Sequence, residues 1–152
     1  MSSTRVTQRI NAAPANVYQA LLDPQAIAKW RFPDGMRCYV HAFDAREGGE
    51  FRVSLTYEVP SNAGKTDPLT DTYHGFFREL VPNEKVVEVL AFESDNPSMQ
   101  GEMVIRTTLA DANGGTLLVV VHENLPNGVS AADNETGWRM ALTKLAALVE
   151  AG

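Results

Sequence analysis

Apolar and polar residues follow one another along this chain with a period that changes only a few times. From Thr4 to Asn11, Val6 and Ile10 alternate with Arg5, Thr7 and Arg9, the two-residue period of a half-buried strand. Pro14 then stands at a first helical position, where a missing N–H costs nothing, and Val17, Tyr18, Leu21 and Leu22 share one face. Asp23-Pro24 is an N-cap pair that opens a second helical turn carrying Ile27 and ending near Trp30. After the turn Pro33-Asp34-Gly35 the period of two returns. It predicts six strands: Arg37 to Asp44, Glu50 to Tyr57, Thr70 to Val81, Glu84 to Glu93, Glu102 to Leu109 and Thr116 to Glu123. Gly48-Gly49, Pro82-Asn83, Asn96-Pro97 and Asn113-Gly114-Gly115 supply turn chemistry between them. The longest connection, Glu58 to Leu69, holds Pro60, Gly64 and Pro68 and is expected to be a mobile hairpin loop. Finally, Ser130-Ala131-Ala132-Asp133 opens a long helix, with Trp138, Ala141, Leu142, Leu145, Leu148 and Val149 on its apolar face.

The order β-α-α-β6-α defines an α+β protein: a seven-stranded antiparallel sheet with one face to cover and one long C-terminal helix to cover it. A straight helix cannot fill a concave sheet across its whole width. A cavity between the two is therefore the expected ligand site.

Composition narrows the function. The 152 residues suit a single domain spanning 1–152, and 44% hydrophobic with 21% charged residues are ordinary globular values. Thirteen Lys and Arg against nineteen Asp and Glu give a formal charge of −6, which argues against nucleic acid and anionic membranes as partners. A single cysteine, Cys38, excludes an internal disulfide and a thiolate metal cluster. The first residues carry no signal-like apolar run and no stretch of eighteen apolar residues occurs, so a cytoplasmic protein is expected.

The quoted segments together resemble a known family. Ala13-Pro14-Ala15 with Val17-Tyr18, Asp23-Pro24 with Ile27-Ala28-Lys29-Trp30, and Gly48-Gly49-Glu50-Phe51-Arg52 occur in the order of the START-like (SRPBCC, Bet v 1-like, helix-grip) superfamily. Tyr73 with Gly75, Pro82-Asn83-Glu84-Lys85-Val86-Val87, Gly114-Gly115-Thr116, His122, Leu125-Pro126 and Gly137-Trp138-Arg139 extend the match over most of the chain. The branch it resembles most is that of bacterial relatives of the heat shock protein 90 ATPase activator. The resemblance implies a helix-grip fold and a hydrophobic cavity without one shared chemistry. Members bind lipids or polyketides, and a few are cyclases. The chaperone-activating members usually carry a further N-terminal domain, so the family name alone transfers little.

Which residues face the cavity follows from strand parity. In the last strand Leu118, Val120 and His122 share one face, which the resemblance places inward. His122 is a candidate ligand hydrogen bond or proton donor, weighed against a histidine simply bonded to a loop at the cavity mouth. Glu88 shares parity with Val86, Leu90 and Phe92, where an apolar residue is expected. Its readings are a general acid/base or ligand anchor on one side, and a pleat slip that turns it to water on the other. Glu88 and His122 are expected two strands apart and staggered, close enough for a small substrate to bridge. The wall candidates are Trp30, Tyr39, Phe51, Val53, Tyr57, Phe77, Met103, Ile105, Leu109, Trp138 and Leu142, with Thr107 as a polar contact. On the opposite face Leu117, Val119 and Val121 form a contiguous apolar row that suggests a homodimer, weighed against cover by a neighbouring segment.

Three patterns carry no weight. Gly48-Gly49-Glu50-Phe51 spells a cyclase signature, but a β-meander lacks the parallel units and carboxylates that chemistry needs. Asn134-Glu135-Thr136 is a glycosylation sequon inside a helix. His41, His74 and His122 fall on separate strands without ligand spacing, so no metal is expected, nor any other cofactor. The function expected first is binding of a small hydrophobic ligand. The alternatives are a cofactor-free cyclase, dehydratase or hydrolase using His122 and Glu88, and a chaperone ATPase activator.

Overall fold

The computed structural model describes residues 2–58 and 70–151. The expected hairpin loop between Glu58 and Leu69 lies almost wholly outside the described residues. Strand β1 (Ser2–Ile10) is followed by helices α1 (Pro14–Leu21) and α2 (Pro24–Trp30). Then come β2 (Met36–Phe43), β3 (Glu50–Tyr57), β4 (Thr70–Val81), β5 (Lys85–Phe92), β6 (Met103–Ala112), β7 (Gly115–Leu125) and helix α3 (Ala131–Glu150). A single 3-10 turn, Pro97–Met99, interrupts the β5–β6 connection.

All seven strands form one sheet in the order β1-β7-β6-β5-β4-β3-β2, every neighbouring pair antiparallel. The helix-grip architecture read from the sequence is thus the architecture of the chain. β6 and β7 run further than expected because Asn113 and Gly114 make a two-residue turn, which keeps Ala112 and Gly115 paired. Among the described residues no helix is long and apolar enough to cross a membrane.

Local chemistry accounts for the helices. Asp23 accepts a hydrogen bond from the Gln25 N–H at 2.9 Å, and Ser130 accepts one from the Asp133 N–H at 3.2 Å. The Trp30 indole donates to the Ala20 carbonyl at 3.0 Å, which locks α2 onto α1. Ala141, Leu142, Leu145 and Ala146 are the buried stripe of α3, and the helix packs against β1, α1 and α2. At the other end of the sheet, Phe43, Phe51, Tyr73 and Phe77 fill the concave face with their rings 5.1–6.5 Å apart.

Three glycines permit close backbone approaches around β4. Gly48, at φ +81°, donates to the Phe77 carbonyl, and a Cβ on Gly49 would lie 2.1 Å from the Asp44 carbonyl oxygen. The glycine pair is therefore explained by a loop folded tightly onto β4. In β4 itself, Gly75 stands opposite Leu90, and a Cβ there would meet the Val89 carbonyl oxygen at 2.1 Å. Only a glycine lets β4 and β5 approach in this way.

Candidate functional site

Glu88 projects from the middle of β5 onto the concave face and is 4% exposed. The pleat does not turn it to water. Its partner is Arg31, whose Nη1 donates to Oε1 at 2.8 Å. Arg31 is the C-cap residue of α2, so the end of that short helix aims a long side chain across the layer toward β5. Both side chains are at most 9% exposed. The guanidinium lies 5.3 Å from the ring centre of Trp138 and 5.6 Å from that of Tyr73, so aromatic faces enclose what the carboxylate does not. Burial alone would lower the Arg31 pKa, but the charge and hydrogen bond of Glu88, with Tyr73 and Cys38 acting in the same direction, together hold it above the usual arginine value. The same burial pushes Tyr73 upward and lifts the Cys38 thiol to about 11, with Arg31 opposing both shifts. The ion pair thus sits among neutral groups.

His122 enters the same layer from β7. It is 1% exposed, and neither ring nitrogen has a hydrogen-bond partner. Its ring packs against Trp138, centroids 4.9 Å apart and planes at 63°. Burial first, and the Arg31 charge second, push its pKa down to about 3, so the ring is neutral at physiological pH. Glu88 and His122 are not staggered. Each pairs directly with Ile105 of β6, one from either side, so they share a row with Cα atoms about 10 Å apart.

A small enclosed space lies between these groups and α3. It is bounded by Trp30, Arg31, Glu88, Thr107, Trp138 and Leu142 among others, and its volume is about 10 Å³. That is room for about one water molecule. A larger depression of about 320 Å³, beside Asp34, Arg139, Met140 and Lys144, is open to solvent on the outer side of α3.

Of the residues expected to line a cavity, Trp30, Glu88, Thr107, Trp138 and Leu142 border this space. His122 does not border it but packs against Trp138, which does. Phe51, Val53, Phe77, Met103, Ile105 and Leu109 are buried in the surrounding core and do not border it. Tyr57 is half-buried at the end of β3, opposite Met36, and is also outside it.

Tyr39 is a correction. It is 65% exposed, pairs with Ser54 on the outer face, and stacks edge-on against His41 at 4.7 Å. A bulge between Val40 and Ala42 reverses the parity of β2, so counting back from the inward Phe43 puts the wrong residues inside. The residue that sequence reasoning missed is Arg31. The only hint to it was the buried position of Glu88 itself, because a desolvated carboxylate calls for a cation.

On the outer face Leu117 is 38% exposed, while Val119 and Val121 are half-buried. Arg106 donates to Glu123 at 2.9 Å beside them. Among the described residues no group of three or more His, Cys, Asp or Glu side chains is placed to hold a metal ion.

A curved antiparallel sheet closed by one long helix, with polar groups buried between them, defines the chain as a START-like, helix-grip protein. More narrowly, residues 11–150 match the model of the family described as activator of Hsp90 ATPase homolog 1-like protein, and the chain belongs to that family. A solved protein from Chromobacterium violaceum is similar at 33% identity, with a TM-score of 0.87 over 97% of this chain and 96% of that one. One from Rhodobacter sphaeroides shares the fold at 20% identity and a TM-score of 0.80, over 99% and 93% of the two chains. CalU16 from Micromonospora echinospora does so at 21% identity and a TM-score of 0.66, over 97% and 75%. No curated protein matches the sequence.

Proposed function

We propose that the chain binds a small, largely apolar compound between the sheet and α3, in the layer that holds Arg31, Glu88, Trp138 and His122. The observation that carries this reading is the Arg31–Glu88 pair bordering an enclosed space beneath the helix. An ion pair in a core is a poor source of stability compared with apolar side chains of similar volume, so its presence here calls for another use. A ligand larger than a water molecule has to displace the Trp138 ring and tilt α3 away from the sheet. Trp138 is suited to that movement, being only partly buried near the start of the helix.

Native mass spectrometry of freshly purified protein, paired with titration by the neutral dye N-phenyl-1-naphthylamine, tests the reading. A released small mass, or saturable dye fluorescence that Trp138→Ala alters, is expected. Absence of both sinks it.

A second reading makes the same residues a cofactor-free cyclase, dehydratase or hydrolase. It is favoured by the shared row of Glu88 and His122, which a carbonyl substrate of modest size would span. The binding reading is preferred because Arg31 already occupies the Glu88 carboxylate and because His122 is held neutral. The family description also motivates a chaperone-activating role, for which stimulation of a chaperone's ATPase rate is the direct assay.

The exposed Leu117 edge, with Val119 and Val121, supports a homodimer through the outer face. Sedimentation of wild type against Leu117→Glu reads it out, with a shift from dimer to monomer expected.

A further inference from the structure

Among the described residues, the ring of His122 is the buried side chain whose polar atoms no partner satisfies. A neutral imidazole offers one N–H donor and one lone pair, and here both are buried without a bond. Buried polar atoms of this kind are uncommon in folded proteins, and each one has to be accounted for. The Trp138 ring links this imidazole to the enclosed space: it packs against His122 with centroids 4.9 Å apart and itself borders the space, as does Val120, the same-face neighbour of His122 on β7. Once a ligand moves Trp138, the imidazole edge becomes part of the ligand's wall.

The charge of the layer limits what that ligand can be. Arg31 and Glu88 cancel, and the other titratable groups coupled to them (Tyr73, Cys38 and His122) are neutral. A carboxylate brought into this layer would leave one negative charge in excess beside Glu88, desolvated and without a spare cation. An ammonium would do the same with opposite sign beside Arg31. An uncharged oxygen meets neither obstacle.

We propose that the compound held between the sheet and α3 carries an uncharged carbonyl or hydroxyl head on an apolar body, and that the head hydrogen-bonds the His122 ring. The proposal rests on the ligand-binding reading and adds to it the class of the ligand. It assigns His122 the role of selecting a neutral head group, and Arg31–Glu88 the role of excluding charged ones.

Three probes of nearly equal size test it: 2-acetylnaphthalene, 2-ethylnaphthalene and 2-naphthoate, titrated calorimetrically into wild type and His122→Leu. Wild type is expected to prefer the ketone over the ethyl compound by about tenfold, the worth of one buried hydrogen bond, and to bind the acid weakest. His122→Leu is expected to bring the ketone down to the level of the ethyl compound and leave the latter nearly unchanged. If the variant does not fold, ring nitrogen shifts in histidine-labelled wild type supply the readout. Of the three histidines only His122 should then respond to the ketone. Tightest binding of 2-naphthoate, equal binding of ketone and ethyl compound, or an unperturbed His122 ring overturns the head-group assignment while ligand binding stands. Failure of all three probes to bind overturns both.

Discussion

Among the described residues, an arginine, a glutamate and a histidine come close together in two places, once on each side of the sheet. On the outer face Arg52 makes two bonds to Glu93, at 2.7 and 2.9 Å, and His74 Nδ1 lies 3.1 Å from the same carboxylate. On the inner face Arg31 makes one bond to Glu88, and His122 has no partner. Judged by bonds alone, the outer trio is the stronger. Judged by surroundings it is not, because its side chains are 30–57% exposed and water and salt compete for each charge. The inner pair is desolvated, so each charge depends on the other far more. Geometry therefore ranks the two clusters one way and dielectric environment the other. Measurement should follow the environment.

Removing one inner partner gives the largest effect. Glu88→Gln leaves the Arg31 charge buried and uncompensated, and should cost about 3–5 kcal/mol of unfolding free energy in urea titrations. Removing both charges is the sharper experiment. Arg31→Met combined with Glu88→Leu should recover most of that loss, because an apolar pair of similar volume needs no desolvation. A double variant as unstable as the single one would show that the pair contributes through packing and not charge.

The histidines give the next contrast. In the unfolded chain His122 takes up a proton near pH 6.5, and in the folded chain not until about pH 3. Its contribution is thus fully present above pH 6.5 and is lost as pH falls through that window. The slope is at most about 1.4 kcal/mol per pH unit. Between pH 6.5 and 5, before most carboxylates titrate, the wild-type stability curve should fall more steeply than that of His122→Leu. Parallel curves would remove the case for a buried neutral ring.

Arg52→Gln gives the smallest effect. Its change in melting temperature should be slight in dilute buffer and vanish at high salt, because the pair it breaks is exposed. A large, salt-independent loss there would reverse the ranking of the two sides.

How much of this was legible in the sequence depended on the regularity of each strand. β5 and β7 pair with β6 in unbroken register through Glu88 and His122, so a period of two groups each with its own row, and the resemblance supplies which row of β7 faces inward. β2 has a bulge at Val40 and Ala42, which no single-residue signal announces and which leaves Tyr39 on the face opposite Phe43. Arg31 was hidden for another reason. It lies 57 residues from Glu88, at the C-cap of a helix of seven residues, and its reach depends on how that helix docks. The volume beneath α3 was equally out of view, since a small change in helix tilt separates a filled layer from a pocket.

Gly75 has a consequence for inheritance. Every replacement at that position adds a Cβ where the Val89 carbonyl already stands, so no mild intermediate exists between the present bend of β4 on β5 and a rebuilt sheet. Leu142, Val86 and Thr107, by contrast, border the enclosed space with their side chains, so a replacement there changes its walls and sets no new Cβ against a backbone carbonyl. Descendants of this chain could therefore explore new contents for the layer by small steps in its walls, while the curvature that frames it passes on unaltered.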